Sequence, residues 1–473
     1  MKILKNYLYN VLYQLFVIIV PLITMPYIAK ILGPNGVGIN TFTNSNTQYF
    51  ILFGSMGVSI YGNRQIAYLR NDTKTVSKVF WEIYLMRFIT ILISLFFFYI
   101  FVLITGRYKY AYIMQSIQIL AAAFDISWLF MGFENFRVTV LRNIIVKLIS
   151  IVLIFVLVKN HTDVIMYIFI ISISQLLGNL SMFTYIKEYI KLVDFRSLNI
   201  WRHLKPSIEL FIPQIALQIY LVLNKSMLGF MVSVKAAGFY EYSDKIVRMI
   251  LAIVTSLSAV MMPRMANTFA NGDKVKVKEY LIKSFHFVNF IAFPMMFGLA
   301  ALSLKLAPFL FTEKFNPVSI LLIIESLIVI PIAWASISSQ QFLVPLNLNK
   351  EYTISVALGA LVSVLLNVPL IFLWGEVGAM ISTVICEWTV TIYQMSILKR
   401  YMDIFDFFID TWKYLFSGIV MFIIVFYFNC IFKLTIISLI LEVVGGICIY
   451  LVLLYFLHSK MLMELIYIIK NKF

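Results

Sequence analysis

The sequence predicts an all-α polytopic membrane protein of about fourteen transmembrane helices, with two six-helix lobes related by pseudo-two-fold symmetry and two further C-terminal helices. Three observations predict it. Hydrophobic residues make up 62% of the chain, aromatic residues 16% and charged residues only 13%; with a mean hydropathy of +0.93, this excludes a soluble enzyme, which needs more polar surface. Apolar stretches of about 20 residues, the length that spans a bilayer, are centred near Ile19, Phe50, Ile93, Ala122, Val152, Ile171, Ile219, Ser256, Phe293, Ile328, Val362, Thr389, Ile423 and Cys448. A weak repeat flanks the longest polar interruption, residues 187–205. These features place an N-terminal lobe over 1–186, a cytoplasmic connector over 187–205, a C-terminal lobe over 206–400, and two accessory helices with a cytoplasmic tail over 401–473.

The first span ends at Leu32-Gly33-Pro34-Asn35-Gly36-Val37-Gly38. Glycine adds backbone entropy and proline removes an amide donor, so the chain is expected to turn there, at a membrane surface. The second span opens with Asn40, Thr41, Thr43, Asn44, Ser45, Asn46, Thr47 and Gln48, a polar run that lipid does not tolerate and that must face protein or water. It reads equally as a sugar-binding wall and as a hydrogen-bonded helix interface.

The net charge of +16 follows the membrane rather than a nucleic acid. With the N-terminus inside, roughly 25 Lys and Arg fall on inner segments against roughly 8 on outer turns, a positive-inside bias that makes both termini cytoplasmic. Arg137 and Arg142 are counted among the inner charges. Lys2 and Lys5 precede an apolar run, but Pro21 and Pro26 disrupt the place of a cleavage site, so the first helix reads as uncleaved. Cys386, Cys430 and Cys448 lie in apolar stretches without disulfide or zinc spacing and read as packing residues. The four histidines are scattered, no metal site or catalytic residue is expected, and the chain is not expected to be an enzyme.

The connector mixes Lys and Arg with Leu192, Phe195, Ile200 and Trp201, which suits a segment on the inner membrane surface. Around it, Gly38, Arg64, Asn71, Lys74 and Lys78 match Gly238, Arg264, Asn271, Lys274 and Lys278 at a constant offset of 200. Beyond the third helix the halves are expected to lose register. Repeated helical halves give a transporter two nearly equivalent packings, one open to each side.

Ionisable residues inside spans are costly and usually face a cavity or a partner. Lys147 lies mid-span; Arg87 and Lys225 lie nearer span ends. Glu241 with Lys245 and Asp244 with Arg248 are four apart, which allows ion pairs along one helix. Asp125, Glu325, Glu387 and Glu209 are candidates to bind a coupling proton or sodium ion, or to neutralise the cations. No other cofactor is expected.

The chain resembles the polysaccharide repeat-unit flippases, the Wzx-type transporters of the multidrug/oligosaccharidyl-lipid/polysaccharide exporter superfamily, over nearly its whole length. The likeness rests on Pro26 through Pro34 with Gly36 and Gly38, on Tyr61-Gly62-Asn63-Arg64 with Ile66-Ala67, and on Asp125 through Phe130 with Gly132 and Glu134. It continues through Phe211 to Ala216, Gly238 to Glu241, Lys245 to Val247, Met262-Pro263-Arg264, Gln341 to Pro345, Gly378-Ala379 and Cys386-Glu387. What the resemblance implies is a MATE-like fold in the bacterial cytoplasmic membrane and export, by alternating access, of an oligosaccharide repeat unit on undecaprenyl pyrophosphate for capsule, exopolysaccharide or O-antigen synthesis. The implied partners are the lipid-linked oligosaccharide, the bilayer, a polysaccharide polymerase and a chain-length regulator, with no nucleic acid. For the pyrophosphate, depth points to Lys147, Arg87, Lys225, Lys245 and Arg248; for the sugars, the second span points to Asn44 and Gln48. The alternatives are an ion-coupled multidrug or organic-cation exporter of the same fold, with Asp125, Glu325 and Glu387 as ligands, and a membrane polysaccharide polymerase or ligase, for which a long outer loop is expected.

Overall fold

The structure, a computed structural model, describes residues 2–472. The side chains of residues 2–18, 136, 212–214, 216–217, 219–221, 468–469 and 471–472 lie outside the description, and with them most of the Phe211–Ala216 motif. The helices in chain order are α1 (Lys2–Ser55), α2 (Val58–Leu69), α3 (Thr73–Thr105), α4 (Lys109–Ala123), α5 (Ser127–Gly132), α6 (Phe136–Leu157), α7 (Val164–Ser181), α8 (Leu204–Met231) and α9 (Val234–Ala270). They continue as α10 (Lys274–Phe311), α11 (Pro317–Ser326), α12 (Val329–Ile337), α13 (Asn349–Lys399), α14 (Phe405–Phe408), α15 (Thr411–Ile431), α16 (Ile436–Phe456) and α17 (Lys460–Lys472). Among the described residues, 10 helical segments are long and apolar enough to cross a membrane. Dividing α13 at its break and adding α8 and the two arms of α1 gives fourteen passes, each holding one of the predicted centres. The protein is an all-α, multi-pass membrane protein.

The predicted turn at residues 32–38 is narrower than its composition suggests. Only Gly33 leaves the helical region, at φ 63° and ψ −178°. Pro34 then opens a new helical arm, where its missing N–H costs nothing. Gly38 lies inside that arm and serves packing: a β-carbon there would stand 2.0 Å from the Val234 carbonyl oxygen. Two hundred positions on, the break recurs at Val232–Ser233 without glycine or proline, and the Ser233 hydroxyl accepts the Ala236 N–H at 3.2 Å as the N-cap of α9. Gly38 and its repeat partner Gly238 sit backbone against backbone. A further single-residue break stands at Gly375, at φ 58°.

The chain forms two compact units, residues 1–238 and 239–473. In the first, α1 packs on α3, α4 and α8, and α4 packs on α7. At one end Trp128 of α5 lies over Gly62 of α2 and stacks on Phe80 of α3 at 5.4 Å, so two of the sequence motifs form one joint. In the second unit α10 packs against α11, α12, α15 and α16. Glu442 of α16, buried, pairs with Lys305 of α10 at 3.3 Å and accepts from Asn429 Nδ2 of α15 at 2.6 Å, which ties the last two spans to α10. Of the cysteines only Cys386 is a packing residue; Cys430 and Cys448 lie on exposed helix faces.

The connector is anchored rather than merely laid on a surface. It is three short 3-10 turns, Met182–Glu188, Phe195–Ser197 and Ile200–His203, and it closes on Glu82 of α3. Fully buried, Glu82 pairs with the Arg202 guanidinium, lies 2.9 Å from His203 Nε2 and accepts the Asn199 N–H at 2.8 Å. His203 Nδ1 is 2.7 Å from the Tyr61 hydroxyl. Burial holds the imidazole's pKa below the ordinary histidine value, and a neutral ring that donates to Glu82 and accepts from Tyr61 satisfies both neighbours. Leu192, Phe195 and Trp201 remain exposed, as a surface segment requires.

Two outcomes are expected. Gly38→Ala places a methyl against backbone that no rotamer change relieves, so the detergent-solubilised protein should melt several degrees lower; an unchanged Tm shows that α1 and α9 can part freely here. Glu82→Ala removes the acceptor of Arg202, His203 and the Asn199 N–H together, a loss read as a lower Tm and faster hydrogen exchange over residues 191–203. Unchanged exchange in that segment shows that the connector is held by other contacts.

Candidate functional site

The fourth span is broken in mid-course. Phe124, Asp125 and Ile126 separate α4 from α5, and at such a break carbonyls lose their helical partners and need others inside the protein. Arg87 of α3 supplies one. Its Nη1 donates to the Asp125 backbone oxygen at 3.1 Å and its Nη2 to Asp125 Oδ2 at 3.3 Å, while Asp125 Oδ1 accepts the Ser127 N–H at 3.0 Å and so caps α5. Arg87 is buried; the Asp125 side chain is 24% exposed.

This break lines a cavity of about 530 Å³ built entirely from residues 1–238. Arg87, Asp125, Arg142, Lys147, Gln175 and Asn179 carry its chemistry, with Thr139, Asn143, Ser150 and Ser174 adding further polar groups. Arg142 Nη1 donates to Asn179 Oδ1 at 2.9 Å, and Asn179 Nδ2 in turn donates to the Ala121 carbonyl at 2.6 Å, which fixes α6, α7 and α4 around the site. Three cationic side chains meet one carboxylate, so the cavity is cationic in a low-dielectric setting where charge counts more than in water.

Sequence reasoning brought Lys147, Arg87 and Asp125 to this place and missed Arg142, which it set on the inner surface. Arg142 is instead helical, one and a half turns from Lys147 on α6, because the span begins at Phe136. The overlooked signal was polar spacing: Asn143 and Lys147 on α6, and Gln175 and Asn179 on α7, each four apart on otherwise apolar helices.

The other candidates lie elsewhere. Lys245 pairs with Glu241 at 2.8 Å and Arg248 with Asp244 at 2.7 Å, the predicted spacing realised, so both are already compensated by their own helix. Lys225 is half-buried on α8. The polar run of the second span divides. Asn46 Nδ2 donates to the Tyr112 hydroxyl at 2.7 Å, and Asn40 and Thr43 accept from Gln115, so this part is the α1–α4 interface. Gln48 Nε2 donates to Asn44 Oδ1 at 3.0 Å, and Gln48 lines a separate cavity of about 220 Å³ with Ser59 and Gln218.

Among the acids, Glu325 is fully buried at the end of α11 and accepts from the Ser243 hydroxyl. It stands just before the break between α11 and α12, two hundred positions from Asp125. The two breaks themselves are not 200 apart: α5 starts at Ser127 and α12 at Val329, 202 positions on, and α4 and α11 start 208 apart, so the halves have slipped out of register by the fourth helix, as expected. Position 287, two hundred positions from Arg87, is Phe287. Glu387 is half-buried on α13, and Glu209 is exposed near the start of α8. Among the described residues no group of three or more His, Cys, Asp or Glu side chains is placed to hold a metal ion.

A protein of Escherichia coli (strain K12) named "Putative O-antigen transporter" is 26% identical over 406 residues, covering 84% of this chain and 96% of that one. The fold is shared with the solved lipid II flippase MurJ in its inward closed conformation, at a TM-score of 0.78 with 18% identity over 96% of this chain and 99% of that one. An inward-facing MATE family multidrug transporter matches at a TM-score of 0.59 with 13% identity over 81% and 96% of the two chains. Residues 3–269, more than half of the sequence, match the family described as polysaccharide biosynthesis protein, and the chain belongs to that family.

Proposed function

We propose that this protein is a flippase that moves oligosaccharide repeat units linked to undecaprenyl pyrophosphate across the bacterial cytoplasmic membrane, by alternating access, for capsule, exopolysaccharide or O-antigen assembly. The observation that carries the reading is the sign of the cavity: among the described residues that line it, Arg87, Arg142 and Lys147 are basic and Asp125 is acidic. A diphosphate is the part of such a substrate that hydrocarbon rejects most strongly, and guanidinium and ammonium donors are its natural partners. Asn143, Gln175, Asn179 and Ser150 supply neutral donors and acceptors suited to sugar hydroxyls. An organic cation would meet net repulsion in the same space. The names of the Escherichia coli relative and of the MurJ structure, both membrane transporters, support the reading.

For energy coupling, Glu325 and Glu387 are the acids we assign to a proton or sodium ion. Asp125 is committed to Arg87, and exposed Glu209 lacks the burial that would tune it. Both termini are cytoplasmic in this scheme, and a polymerase with its chain-length regulator receives the flipped unit on the far side.

Removing one charge-assisted contact costs about 1.5–3 kcal/mol. Arg142→Ala and Lys147→Ala are therefore each expected to lower polymer export about 10- to 100-fold when they complement a flippase-deficient strain at matched membrane levels. Wild-type polymer from both variants rules out this cavity as the diphosphate site. Transport of lipid-linked oligosaccharide into proteoliposomes is expected to fall when the proton and sodium gradients are both collapsed, with Glu325→Gln and Glu387→Gln blunting the response; indifference to both gradients removes ion coupling.

A further inference from the structure

A second and larger cavity, about 710 Å³, lies against the first. It is a groove between α6 and α7, walled by Leu141, Ile145, Ile149, Leu153, Ile173 and Leu177. From Arg137 to Leu153 it follows α6 for about 24 Å at 1.5 Å per residue. Ile145, Ile149 and Leu177 are more than half exposed, and α6 is the least enclosed of the 10 apolar spans among the described residues, with 11% of its apolar window buried. One rim carries Arg137 and Glu188.

The groove and the cationic cavity share Arg142, Val146 and Ser174. Next to this shared wall the two helices touch, since a β-carbon on Gly178 would stand 2.7 Å from Val146 Cγ2. One turn away on α7, the small, buried side chain of Ser174 lines both cavities. A polar, cationic chamber thus adjoins an apolar trough across a shared wall that bears an arginine.

We propose that the α6–α7 groove seats the first part of the substrate's polyprenyl chain while the diphosphate lies in the adjoining cavity, with Ser174 as the doorway. The inference rests on the proposed function. The occupant is a polyprenyl diphosphate rather than a bilayer phospholipid, because the groove leads the chain to a chamber that matches a doubly charged head and neutral polar groups beyond it. The last two spans, an equally apolar alternative for the tail, are tied to α10 through Glu442, Lys305 and Asn429 and share no residue with the cationic cavity.

The test uses the full chain in nanodiscs with two photoactivatable diazirine probes, a C55 polyprenyl diphosphate and a phosphatidylglycerol, and maps the cross-links by mass spectrometry. The expected result is polyprenyl labelling of residues 141–153 and 173–177 that excess unlabelled polyprenyl diphosphate abolishes and phosphatidylglycerol does not. Ser174→Trp should lose that labelling while Ser174→Ala keeps it, with both variants eluting as monodisperse protein. Equal labelling of the groove by phosphatidylglycerol makes it an ordinary lipid contact and overturns the proposal. Specific polyprenyl labelling confined to α15 and α16 moves the tail there and also overturns it, yet leaves the flippase reading standing. Absence of specific polyprenyl labelling anywhere on the chain defeats both. Should Ser174→Trp aggregate, Leu177→Trp, which fills the groove without touching the cavity, takes its place, and undiminished labelling in that variant counts against the groove.

Discussion

The contact between Arg87 and Asp125 holds open a place that hydrocarbon would otherwise close. A helix interrupted within a membrane must find new partners for its freed carbonyls, or it does not stay interrupted. Arg87 meets this requirement at the Asp125 backbone oxygen and also pairs with the Asp125 carboxylate. Asp125 meets it again by capping α5 at Ser127. The consequence is chemical as well as structural: a guanidinium is fixed at the wall of a cavity with its charge only partly answered, and α6 and α7 bring Arg142 and Lys147 to the same space. Loss of either member of the pair would both strand a buried charge and release the break on which the cavity depends.

The same device is built differently in the second unit. Glu325 stands in the last turn of α11 before the α11–α12 break, whereas Asp125 lies within the α4–α5 break; Phe287 stands two hundred positions from Arg87, and the Ser243 hydroxyl donates to Glu325. Two halves that share a fold thus differ in what their fourth helices can do. In the first, the acid pairs with Arg87, and Arg142 and Lys147 line the same cavity. In the second, a buried carboxylate accepts from a serine hydroxyl, and the proposed function assigns it to ion coupling. A division of labour follows, with anion binding in residues 1–238 and ion coupling in the later unit under the proposed function.

How much of this was legible in the sequence depended on the range of each interaction. The spans were legible because twenty apolar residues are a local signal, and so were the Glu241–Lys245 and Asp244–Arg248 pairs, which need only helical spacing. The break at Gly33 was visible, but its extent was overread, since Gly36 and Gly38 look like turn residues and Gly38 in fact admits the backbone at Val234. The Glu82 cluster was invisible: its partners Arg202 and His203 are about 120 positions away and sit in a segment whose charges looked like surface charges. Arg142 was misplaced for a related reason. Hydropathy blurs the start of a span, and an arginine six residues into a helix is indistinguishable from a loop arginine until its neighbour Asn179 is known.

A transport site has to release what it binds. Under the proposed function, three unopposed cations in a medium of low dielectric would hold a diphosphate too firmly for it to leave on the other side, because tight binding that is equal in both states drives no movement between them. Asp125 lowers that affinity by occupying part of Arg87, and the hydrogen bond from Arg142 to Asn179 occupies part of a second guanidinium. Lys147 differs from both in kind: its ammonium is a compact charge on a four-carbon stem, whereas the two guanidinium groups are planar forks. The cavity therefore combines two guanidinium groups, each shared with a side chain of the protein, and an ammonium of different geometry. The acid beside the first cation keeps the sum low enough for exit.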